Sequence, residues 1–223
     1  MKERMFLVEG RKNVTEVLAS NLKVEKLLGT DALGAYLTSN KLSMPFEKVS
    51  QQELESNGSY VSNDYALAVV RIPEPPTAIG AGPIILLDGV SDPGNLGTIA
   101  RTMDWFGFQN LVCSNDCAEF YNPKTITSSM GSFCRIIPLY TDLVEYIRRF
   151  PDQNKYGLVL GGTPIASQLP SNGIYILGSE SHGISPELRQ ALTHELSIQG
   201  NGKAESLNVA IAAGILLHQL SAS

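Results

Sequence analysis

The stretch Asp88-Gly-Val-Ser-Asp-Pro-Gly-Asn-Leu-Gly-Thr-Ile-Ala-Arg101 joins an apolar run to a segment with helical periodicity. The preceding run, Ile84 to Leu87, predicts a short buried strand that ends at Asp88. In Pro93-Gly94, the proline fixes φ and the glycine permits a positive φ, which together favour a type II turn. Asn95 is then predicted to be the N-cap of a helix. A strand, a tight turn and a helix with polar residues together indicate a place where a functional site is presented.

The helix predicted after Asn95 has one apolar face. Arg101 projects about 150° from the centre of that face at about 100° per residue, so it is available to a ligand or to solvent. An ordinary strand, turn and helix with a solvent-exposed arginine is the alternative, and these residues alone favour neither. The inward face consists of Leu96, Ile99, Ala100 and Met103.

Two later stretches stand in similar positions. The first follows an apolar run, and the second precedes a predicted helix. The run Ile174 to Leu177 ends in the loop Gly178-Ser-Glu-Ser-His-Gly183, which carries the carboxylate of Glu180, while His182 is expected to be structural or exposed. Further on, Ser206 is predicted to cap a buried helix over residues 207–220. Asn208 in its first turn must find hydrogen-bond partners, which favours a dedicated site.

These three stretches resemble the motifs of the SpoU/TrmH family of RNA ribose methyltransferases. The matching residues are Asp92-Pro-x-Asn95-x-Gly97-x-x-x-Arg101, the loop Gly178 to Gly183, and Ser206-Leu-Asn208. The resemblance covers the chain from about Pro83 onward, and the preceding part resembles a small substrate-binding domain. It implies a mostly parallel sheet with a C-terminal trefoil knot, S-adenosylmethionine bound in the knot, an RNA substrate (ribosomal or transfer) and a dimer.

The resemblance also implies roles for individual residues. Arg101 is expected to orient the ribose hydroxyl and stabilise the developing alkoxide, because an arginine pKa above about 12 opposes proton abstraction. The family's usual Ile-Pro-Met is Ile-Gln-Gly in this chain, and Ser181 replaces a loop glycine. The implied catalytic residues are Asn95, Arg101, Glu180, Ser206 and Asn208. The implied cofactor-binding residues are Leu177, Gly178, Glu180, Ile198, Gln199, Gly200, Ser206 and Leu207.

The pattern along the chain predicts two α/β domains. Residues 1–72 alternate strand and helix and form the small RNA substrate-binding domain, with strands at 24–28 and 66–70 and a capping box from Ser50 to Glu53. Residues 73–83 are rich in proline and glycine and are predicted to be a linker. Residues 84–223 form the second domain, which is long enough to bury a sizeable core.

Strands and helices alternate through the second domain. Strands are predicted near residues 111–112, 135–138, 158–161, 174–177 and 196–198. Such alternation implies βαβ units around a mostly parallel sheet with helices on both faces. Ligands of such sheets bind at the carboxyl ends of strands, which is where all three motifs are expected.

Charge gives a mixed indication of the partner. The net charge of −5 weakly opposes nucleic-acid binding, because phosphate contacts draw on clustered Lys and Arg. Lys2, Arg4, Arg11 and Lys12 nevertheless crowd the N-terminus, and the last three are candidate RNA-binding residues. Solvated surface charge is an equally good interpretation of each residue taken singly.

Other features exclude several classes of protein. Cys113, Cys117 and Cys134 lack zinc spacing and are expected to be reduced and mostly buried, so no metal site is predicted. No apolar run approaches the roughly 20 residues of a membrane span, and a cytoplasmic protein is expected. The dinucleotide and phosphate-loop motifs are absent, which disfavours NAD or ATP.

Three interpretations stay open. The chain is a ribose methyltransferase, an RNA-binding protein that kept the fold and lost catalysis, or a relative that methylates a base. A homodimer is predicted because the C-terminal helix exposes more nonpolar surface, around Ile215 and Leu216, than one subunit needs to cover.

Overall fold

A computed structural model describes residues 4–76, 82–165 and 169–222 of the chain. These residues form two sheets, one before and one after residue 77. We call residues 4–76 the N-terminal unit and residues 82–222 the C-terminal unit. Lys2 and residues 77–81 of the predicted linker lie outside the described residues.

The N-terminal unit is a four-stranded sheet with three helices. Its strand order is β1-β4-β2-β3, in which β4 is antiparallel to both neighbours and β2 is parallel to β3. The predicted strands at 24–28 and 66–70 and the predicted capping box are confirmed. The elements are β1 (Met5–Glu9), α1 (Arg11–Leu18), β2 (Val24–Gly29), α2 (Asp31–Ser39), β3 (Glu47–Lys48), α3 (Gln51–Asn57) and β4 (Ala66–Arg71).

The C-terminal unit is a six-stranded sheet whose paired strands are all parallel, in the order β10-β8-β9-β5-β6-β7. The predicted mostly parallel sheet is therefore confirmed. Its strands are β5 (Ile84–Asp88), β6 (Leu111–Cys113), β7 (Leu139–Tyr140), β8 (Lys155–Pro164), β9 (Ile174–Gly178) and β10 (His194–Ser197). Its helices are α4 (Pro93–Trp105), α5 (Pro123–Ser129), α6 (Leu143–Arg148), α7 (Pro186–Gln190) and α8 (Val209–Ser221).

Helices cover both faces of this sheet. Alternate residues of β5 enter different cores: Ile85 and Leu87 pack with α4 and α8, whereas Ile84 and Leu86 pack with α6 and α7. A strand covered on both faces is apolar along its whole length, which explains the unbroken apolar runs in β5 and β9.

The prediction from the sequence placed one strand of the sheet wrongly. Residues 135–138 were expected to be a strand, but Ser132–Cys134 form a 3-10 turn and the strand begins only at Leu139. The amides of Arg135 and Ile136 both donate to the carbonyl of Ser132, so this backbone is committed to a turn, and Pro138 has no N–H to donate to a ladder. The strand expected at 196–198 is β10, which begins two residues earlier and ends at Ser197.

Two helix starts were also predicted wrongly. Pro93 and Gly94 belong to the first turn of α4 and do not form a type II turn, and the N-cap is Asp92, whose Oδ1 accepts from the Asn95 amide at 2.9 Å. At the other end of the chain, Ser206 caps nothing: α8 begins at Val209 and its N-cap is Asn208.

Helix α8 is less completely buried than its composition suggested. Ile211 is 55% exposed, while Leu216, which was expected on an uncovered surface, is 1% exposed. The prediction was therefore wrong for Leu216, which packs inside the subunit. Ile215 is half-buried.

The N-terminal and C-terminal units share a hydrophobic core. The ring of Phe6 in β1 lies 4.5 Å from that of Tyr121 and 5.9 Å from that of Phe133, between centroids. At the edge of this contact, Arg135 donates to both Asp104 of α4 and Glu16 of α1. The N-terminal unit is thus packed against the C-terminal unit and is not held by its linker alone.

Among the described residues, no helix is long and apolar enough to cross a membrane. No group of three potential metal ligands occurs within the same residues. The three cysteines are free; Cys113 and Cys117 are buried and Cys134 is half-buried.

Candidate active site

The loops after β5 and β9 meet because these strands are parallel neighbours. Asp88 and Gly178, the last residues of the two strands, are paired in register. The carboxyl ends of neighbouring parallel strands lie at one edge of a sheet. The segment from Asp88 to Asn95 and the loop after Gly178 are therefore brought to the same place, as the sequence predicted.

The loop from Gly178 to Gly183 is a tight reversal. Ser179 and Gly183 exchange both backbone hydrogen bonds, at 3.0 and 2.9 Å. A Cβ on Gly178 would lie 2.0 Å from the carbonyl carbon of Gly183, and Gly183 has φ +68°, so both positions favour glycine. Asp88 ties the loop to β5, since its Oδ2 accepts from the Ser185 amide at 2.6 Å.

Glu180 lies at the centre of a polar cluster that joins all three motifs. Its Oε1 accepts from Asn208 Nδ2 at 2.6 Å, from Asn95 Nδ2 at 3.1 Å and from the Val209 amide at 3.2 Å. Asn208 Nδ2 also donates to Asn95 Oδ1 at 3.0 Å. We call Asn95, Glu180 and Asn208 the amide–carboxylate cluster. The expectation that Asn208 finds hydrogen-bond partners is confirmed.

Asn208 has a second function at the start of α8. Its Oδ1 accepts from the amides of Ala210 and Ile211 at 2.9 and 3.3 Å. One side chain therefore uses its oxygen to cap the helix and its nitrogen to bind Glu180. These two sets of hydrogen bonds fix the N-terminal end of α8 to the loop after β9.

Arg101 lies on the exposed side of α4, as predicted, while the residues of the predicted inward face are buried. It stands six residues after Asn95, which is about 9 Å along the helix axis. Within the described part of the chain, its guanidinium makes no hydrogen bond or ion pair. The structure thus brings Asn95, Glu180 and Asn208 into contact, and leaves Arg101 nearby with its donors free.

The residues expected to hold the cofactor form two groups. Leu177 and Gly178 end β9 beside the cluster, and Leu177 is buried. The segment 198–207 runs from β10 to the cap of α8, and from Gln199 onward it is exposed, Ser206 and Leu207 included. Within the described residues, no backbone amide of this segment donates a hydrogen bond. A Cβ at Gly200 would meet nothing within 4 Å. The segment therefore offers unused backbone groups to a ligand.

Comparison with known proteins agrees with this arrangement. The family model of the SpoU rRNA methylase family matches residues 82–218. The chain belongs to the SpoU rRNA methylase family. It is therefore related to enzymes that methylate RNA, and the family resemblance seen in the three motifs is confirmed.

Relatives match along nearly the whole chain. The 23S rRNA (guanosine(2553)-2′-O)-methyltransferase RlmP of Bacillus subtilis (strain 168) is 30% identical over 98% of this chain and 89% of its own length. The structure of a TrmH-family protein from Porphyromonas gingivalis is 34% identical, with a TM-score of 0.84 over 98% of this chain and 90% of that one. The SpoU methyltransferase AviRb from Streptomyces viridochromogenes, solved with AdoMet, is 23% identical with a TM-score of 0.80 over 99% and 90%, and supports the fold.

The basic residues proposed to contact RNA lie on the surface of this SpoU-family chain. Each of them already contacts another side chain. Arg4 pairs with Glu74 and Lys12 with Glu16, each at 2.5 Å. The guanidinium of Arg11 lies 4.6 Å from the centroid of the Tyr65 ring. Exposed ion pairs are worth little, so a phosphate can replace the acidic partners at small cost.

Two features of α4 were not predicted, one beside the site and one at the opposite end of the helix. Asp92 caps α4 and also binds Lys124 Nζ at 2.6 Å, and its pKa is lowered first by Lys124 and then by the Asn95 amide. The signal was available, because an Asp before a Pro is typical of an N-cap followed by N1. Trp105 ends α4 and is 84% exposed, which no local pattern predicted. His182 is exposed, as expected.

Proposed function

We propose that this protein transfers a methyl group from S-adenosylmethionine to a ribose 2′-hydroxyl of ribosomal or transfer RNA. The observation that carries the proposal is the amide–carboxylate cluster, in which Glu180 Oε1 binds groups from the other two motifs. The B. subtilis relative and an RlmB of Neisseria meningitidis, which is 27% identical, are both named as 2′-O-methyltransferases. These names place the methyl group of those two enzymes' products on the ribose 2′-oxygen.

The cofactor is S-adenosylmethionine, held by the end of β9 and the segment 198–207. The residues present fit this role, since residues 199–207 are exposed and no backbone amide of residues 198–207 donates a hydrogen bond within the described chain. Gln199 and Gly200 replace the family's proline and methionine, and backbone contacts tolerate such changes. The cofactor supplies an electrophilic methyl group on a sulfonium, and the chain has to position the ribose oxygen against it.

Arg101 positions that oxygen. A guanidinium is always protonated and presents several donors in one plane, so it binds a hydroxyl and an adjacent phosphate and stabilises the alkoxide as it forms. Its freedom from partners within the described chain supports this role. Asn95 and Asn208 hold the substrate side of the cluster, and Glu180 anchors its own loop, after β9, to both of them. Ser206 contacts the ligand, since it is exposed and caps no helix.

The C-terminal segment forms the trefoil knot that the family resemblance implies. Strand β10 lies at the edge of the sheet, yet the chain then returns to the centre, where Asn208 binds Glu180 and α8 packs against α4 and β9. A chain that passes from the edge to the centre beside the loop after β9 supports a threaded path.

The active protein is a homodimer that uses α4 and α8. Trp105 and Ile211 are both largely exposed, and they lie on helices that pack together, with Thr102 Cγ2 3.9 Å from a Cβ built on Gly214. Tryptophan is enriched at protein interfaces, so the exposure of Trp105 supports an interface at this end of α4. Sedimentation of Trp105→Asp is expected to give the 24.1 kDa monomer, and a monomeric wild type would contradict the dimer.

The domains proposed from the sequence are the small RNA substrate-binding domain at 1–72, the linker at 73–83 and the methyltransferase domain at 84–223. RNA affinity is assigned to the first of these. Arg4, Arg11 and Lys12 contribute through phosphate contacts, so neutralising Arg11 and Lys12 together should lower the salt dependence of RNA binding by up to about two phosphate equivalents. The protein acts in the cytoplasm on ribosomal or transfer RNA and needs no metal.

The proposal is tested by methyl transfer in vitro. Wild-type protein is incubated with methyl-labelled S-adenosylmethionine and total RNA from cells that lack the gene, and the RNA is digested to nucleosides. We expect label in a 2′-O-methylnucleoside. Label in a base would favour the base-methylating alternative. RNA binding without cofactor binding would favour the catalytically silent one.

A further inference from the structure

Lys124 lies across the first turn of α4, although it belongs to none of the three motifs. Its Nζ lies 2.6 Å from Oδ2 of Asp92. A Cβ built on Gly94 would lie 3.1 Å from the Cε of Lys124 and 3.5 Å from its Nζ. Asn95, whose side chain binds Glu180, is the next residue of the helix. The ammonium group of Lys124 is therefore at the edge of the candidate active site.

The packing of α5 on α4 holds Lys124 in this position. The Lys124 amide donates to Oδ1 of Asn122, the N-cap of α5, at 2.9 Å. Farther along, a Cβ built on Gly97 of α4 would lie 2.5 Å from the carbonyl oxygen of Thr125 and 2.8 Å from the Cβ of Ser128. Because the two helices touch through a glycine, the start of α5 stays beside the start of α4.

Lys124 and Arg101 lie along the same face of α4. Gly94, Gly97 and Arg101 follow one another at steps of three and four residues, so they share one face of the helix. Lys124 covers Gly94, and Arg101 is seven residues farther on, or about 10 Å along the helix axis. Both side chains are exposed, that of Lys124 by 59%. Two cations therefore follow the helix that begins at the amide–carboxylate cluster.

The other cations of the C-terminal unit are bound or lie elsewhere. Two arginines are held by acidic side chains, and the lysine of β8 is buried and donates to two backbone carbonyls. Two more arginines end α6, on the face of the sheet opposite α4, and one lysine lies in the segment 198–207. In the order of this description they are Arg135, Arg189, Lys155, Arg148, Arg149 and Lys203. Since the chain has a net charge of −5, an RNA strand at the start of α4 depends on Lys124 and Arg101 for positive charge.

We propose that Lys124 binds a phosphate of the RNA strand beside the ribose that is methylated. This inference deepens the proposed function and rests on it. An ammonium group has three N–H donors and binds phosphate as a point charge. Within the described part of the chain, Asp92 is the one acceptor bound to Lys124 Nζ, so two donors remain. Lys124 can therefore bind a phosphate without releasing Asp92, and the ion pair fixes the ammonium group in advance.

The test compares Lys124→Gln with Lys26→Gln. Lys26 is a matched control, because it is 57% exposed and pairs with Glu47 at 3.0 Å in the N-terminal unit. Ribosomal RNA and transfer RNA are purified separately from cells that lack the gene, and the binding of each is measured at several salt concentrations. For the RNA that the wild type methylates, we expect Lys124→Gln to weaken binding about tenfold and to reduce the salt slope by roughly 0.7 to 0.9, or one phosphate. Lys26→Gln should change neither quantity.

Asp92→Asn separates a phosphate contact from a structural role. It removes the same ion pair but keeps Lys124 and the cap of α4. If Lys124 acted only by holding Asp92, Asp92→Asn and Lys124→Gln would weaken RNA binding equally. We expect Asp92→Asn to change RNA affinity less than about threefold, and Lys124→Arg, which keeps the charge, to stay within the same limit.

Equal losses in Asp92→Asn and Lys124→Gln, or an unchanged salt slope in Lys124→Gln, would overturn the proposal. A loss of S-adenosylmethionine affinity in Lys124→Gln, measured by calorimetry, would also overturn it, because Lys124 would then bind the carboxylate of the cofactor. Wild-type methyl transfer by Lys124→Gln at limiting RNA would remove the phosphate contact and leave the proposed function standing. A reduced salt slope in a protein that methylates neither RNA would leave the phosphate contact standing and remove the proposed function.

Discussion

Glu180 is the residue on which the three motifs converge. One carboxylate oxygen accepts three N–H groups, one from Asn95 and two from the adjacent residues Asn208 and Val209, so the donors come from the other two motifs. Hydrogen bonds to an ionised acceptor are stronger than neutral ones. Glu180 therefore fixes the relative positions of the groups proposed to meet the ribose.

Asn208→Asp separates the two functions of Asn208. The aspartate keeps an acceptor for the cap of α8 but places a second carboxylate beside Glu180, where the donor now lies 2.6 Å away. Two adjacent carboxylates raise the pKa of the pair, so the repulsion destabilises the variant above that pKa and is relieved as the pH falls through it. We expect a loss of about 1 kcal/mol near neutral pH that recovers towards about pH 5.

Urea denaturation at both pH values checks this expectation, with Asn208→Ser as the matched control because serine caps without charge. The serine variant should show no recovery at low pH. Equal pH dependence in the two variants would mean that position 208 does not face Glu180.

Arg101→Ala should leave folding and cofactor affinity nearly unchanged and lower methyl transfer at least ~100-fold, or about 2.7 kcal/mol. Arg101→Lys keeps the charge but loses the planar fork, and we expect it to be almost as inactive. Single-turnover transfer and calorimetry with S-adenosylmethionine measure the two effects. Near wild-type transfer by the lysine variant would mean that charge alone suffices, and full transfer by the alanine variant would exclude Arg101 from the mechanism.

At the level of elements, α4 depends on its first residues. Asp92 both caps the helix and pairs with Lys124, and its pKa is lowered first by that lysine. A carboxyl with a lowered pKa contributes stability above its unfolded pKa of about 3.9, and the contribution is lost as the pH falls through the folded pKa.

Two substitutions at Asp92 separate the cap from the ion pair. Asp92→Asn keeps the cap and should cost under about 0.5 kcal/mol, because exposed pairs are weak. Asp92→Ala loses the cap as well and should cost about 1 kcal/mol more. Thermal unfolding at pH 7 and pH 3 measures both. The difference between wild type and Asp92→Asn should be smaller at the acid pH, and a difference that grew there would contradict the assignment.

Most elements were predictable because their patterns are local. The apolar runs of β5 and β9 and the capping box of α3 depend on neighbouring residues. The errors occurred where a distant partner decides the outcome. Residues 135–138 have a strand-like composition, but Arg135 binds Asp104 and Glu16, which lie 31 and 119 residues away, and the backbone turns to reach them.

At the scale of the whole molecule, the two sheets behave as one packed body. Phe6 lies in the N-terminal unit, yet its ring packs on Tyr121 and Phe133 of the C-terminal unit. The sequence could predict a linker from its prolines and glycines but not this contact. Residues 78–223 without the N-terminal unit would lose the packing of Phe6 against Tyr121 and Phe133.

Phe6→Ala should therefore destabilise both units by about 3 kcal/mol, the lower end for a buried phenylalanine. Hydrogen exchange of the β5 amides reports the C-terminal unit separately, and far-UV circular dichroism reports the whole chain. Phe6→Leu, which keeps most of the apolar volume, should cost less. Unchanged exchange in β5 would mean that the two units unfold independently.

The residues of the candidate site were predicted from the sequence, but the hydrogen bonds between them were not. The motifs identified Asn95, Glu180 and Asn208, and the parallel sheet explained why the first two meet. That one asparagine caps α8 and binds Glu180 depends on the path of the chain from β10 back to the sheet centre. No pattern within a few residues encodes that path.

The central claim is that this assembly methylates a ribose of RNA. Its most direct test is a map of 2′-O-methyl positions in total RNA from cells with the gene, without it, and with the Arg101→Ala variant in its place. We predict at least one ribosomal or transfer RNA position whose 2′-O-methyl group is present with the wild-type gene and absent in the other two. Identical maps in all three strains, or a lost methyl group that proves to be on a base, would contradict the account.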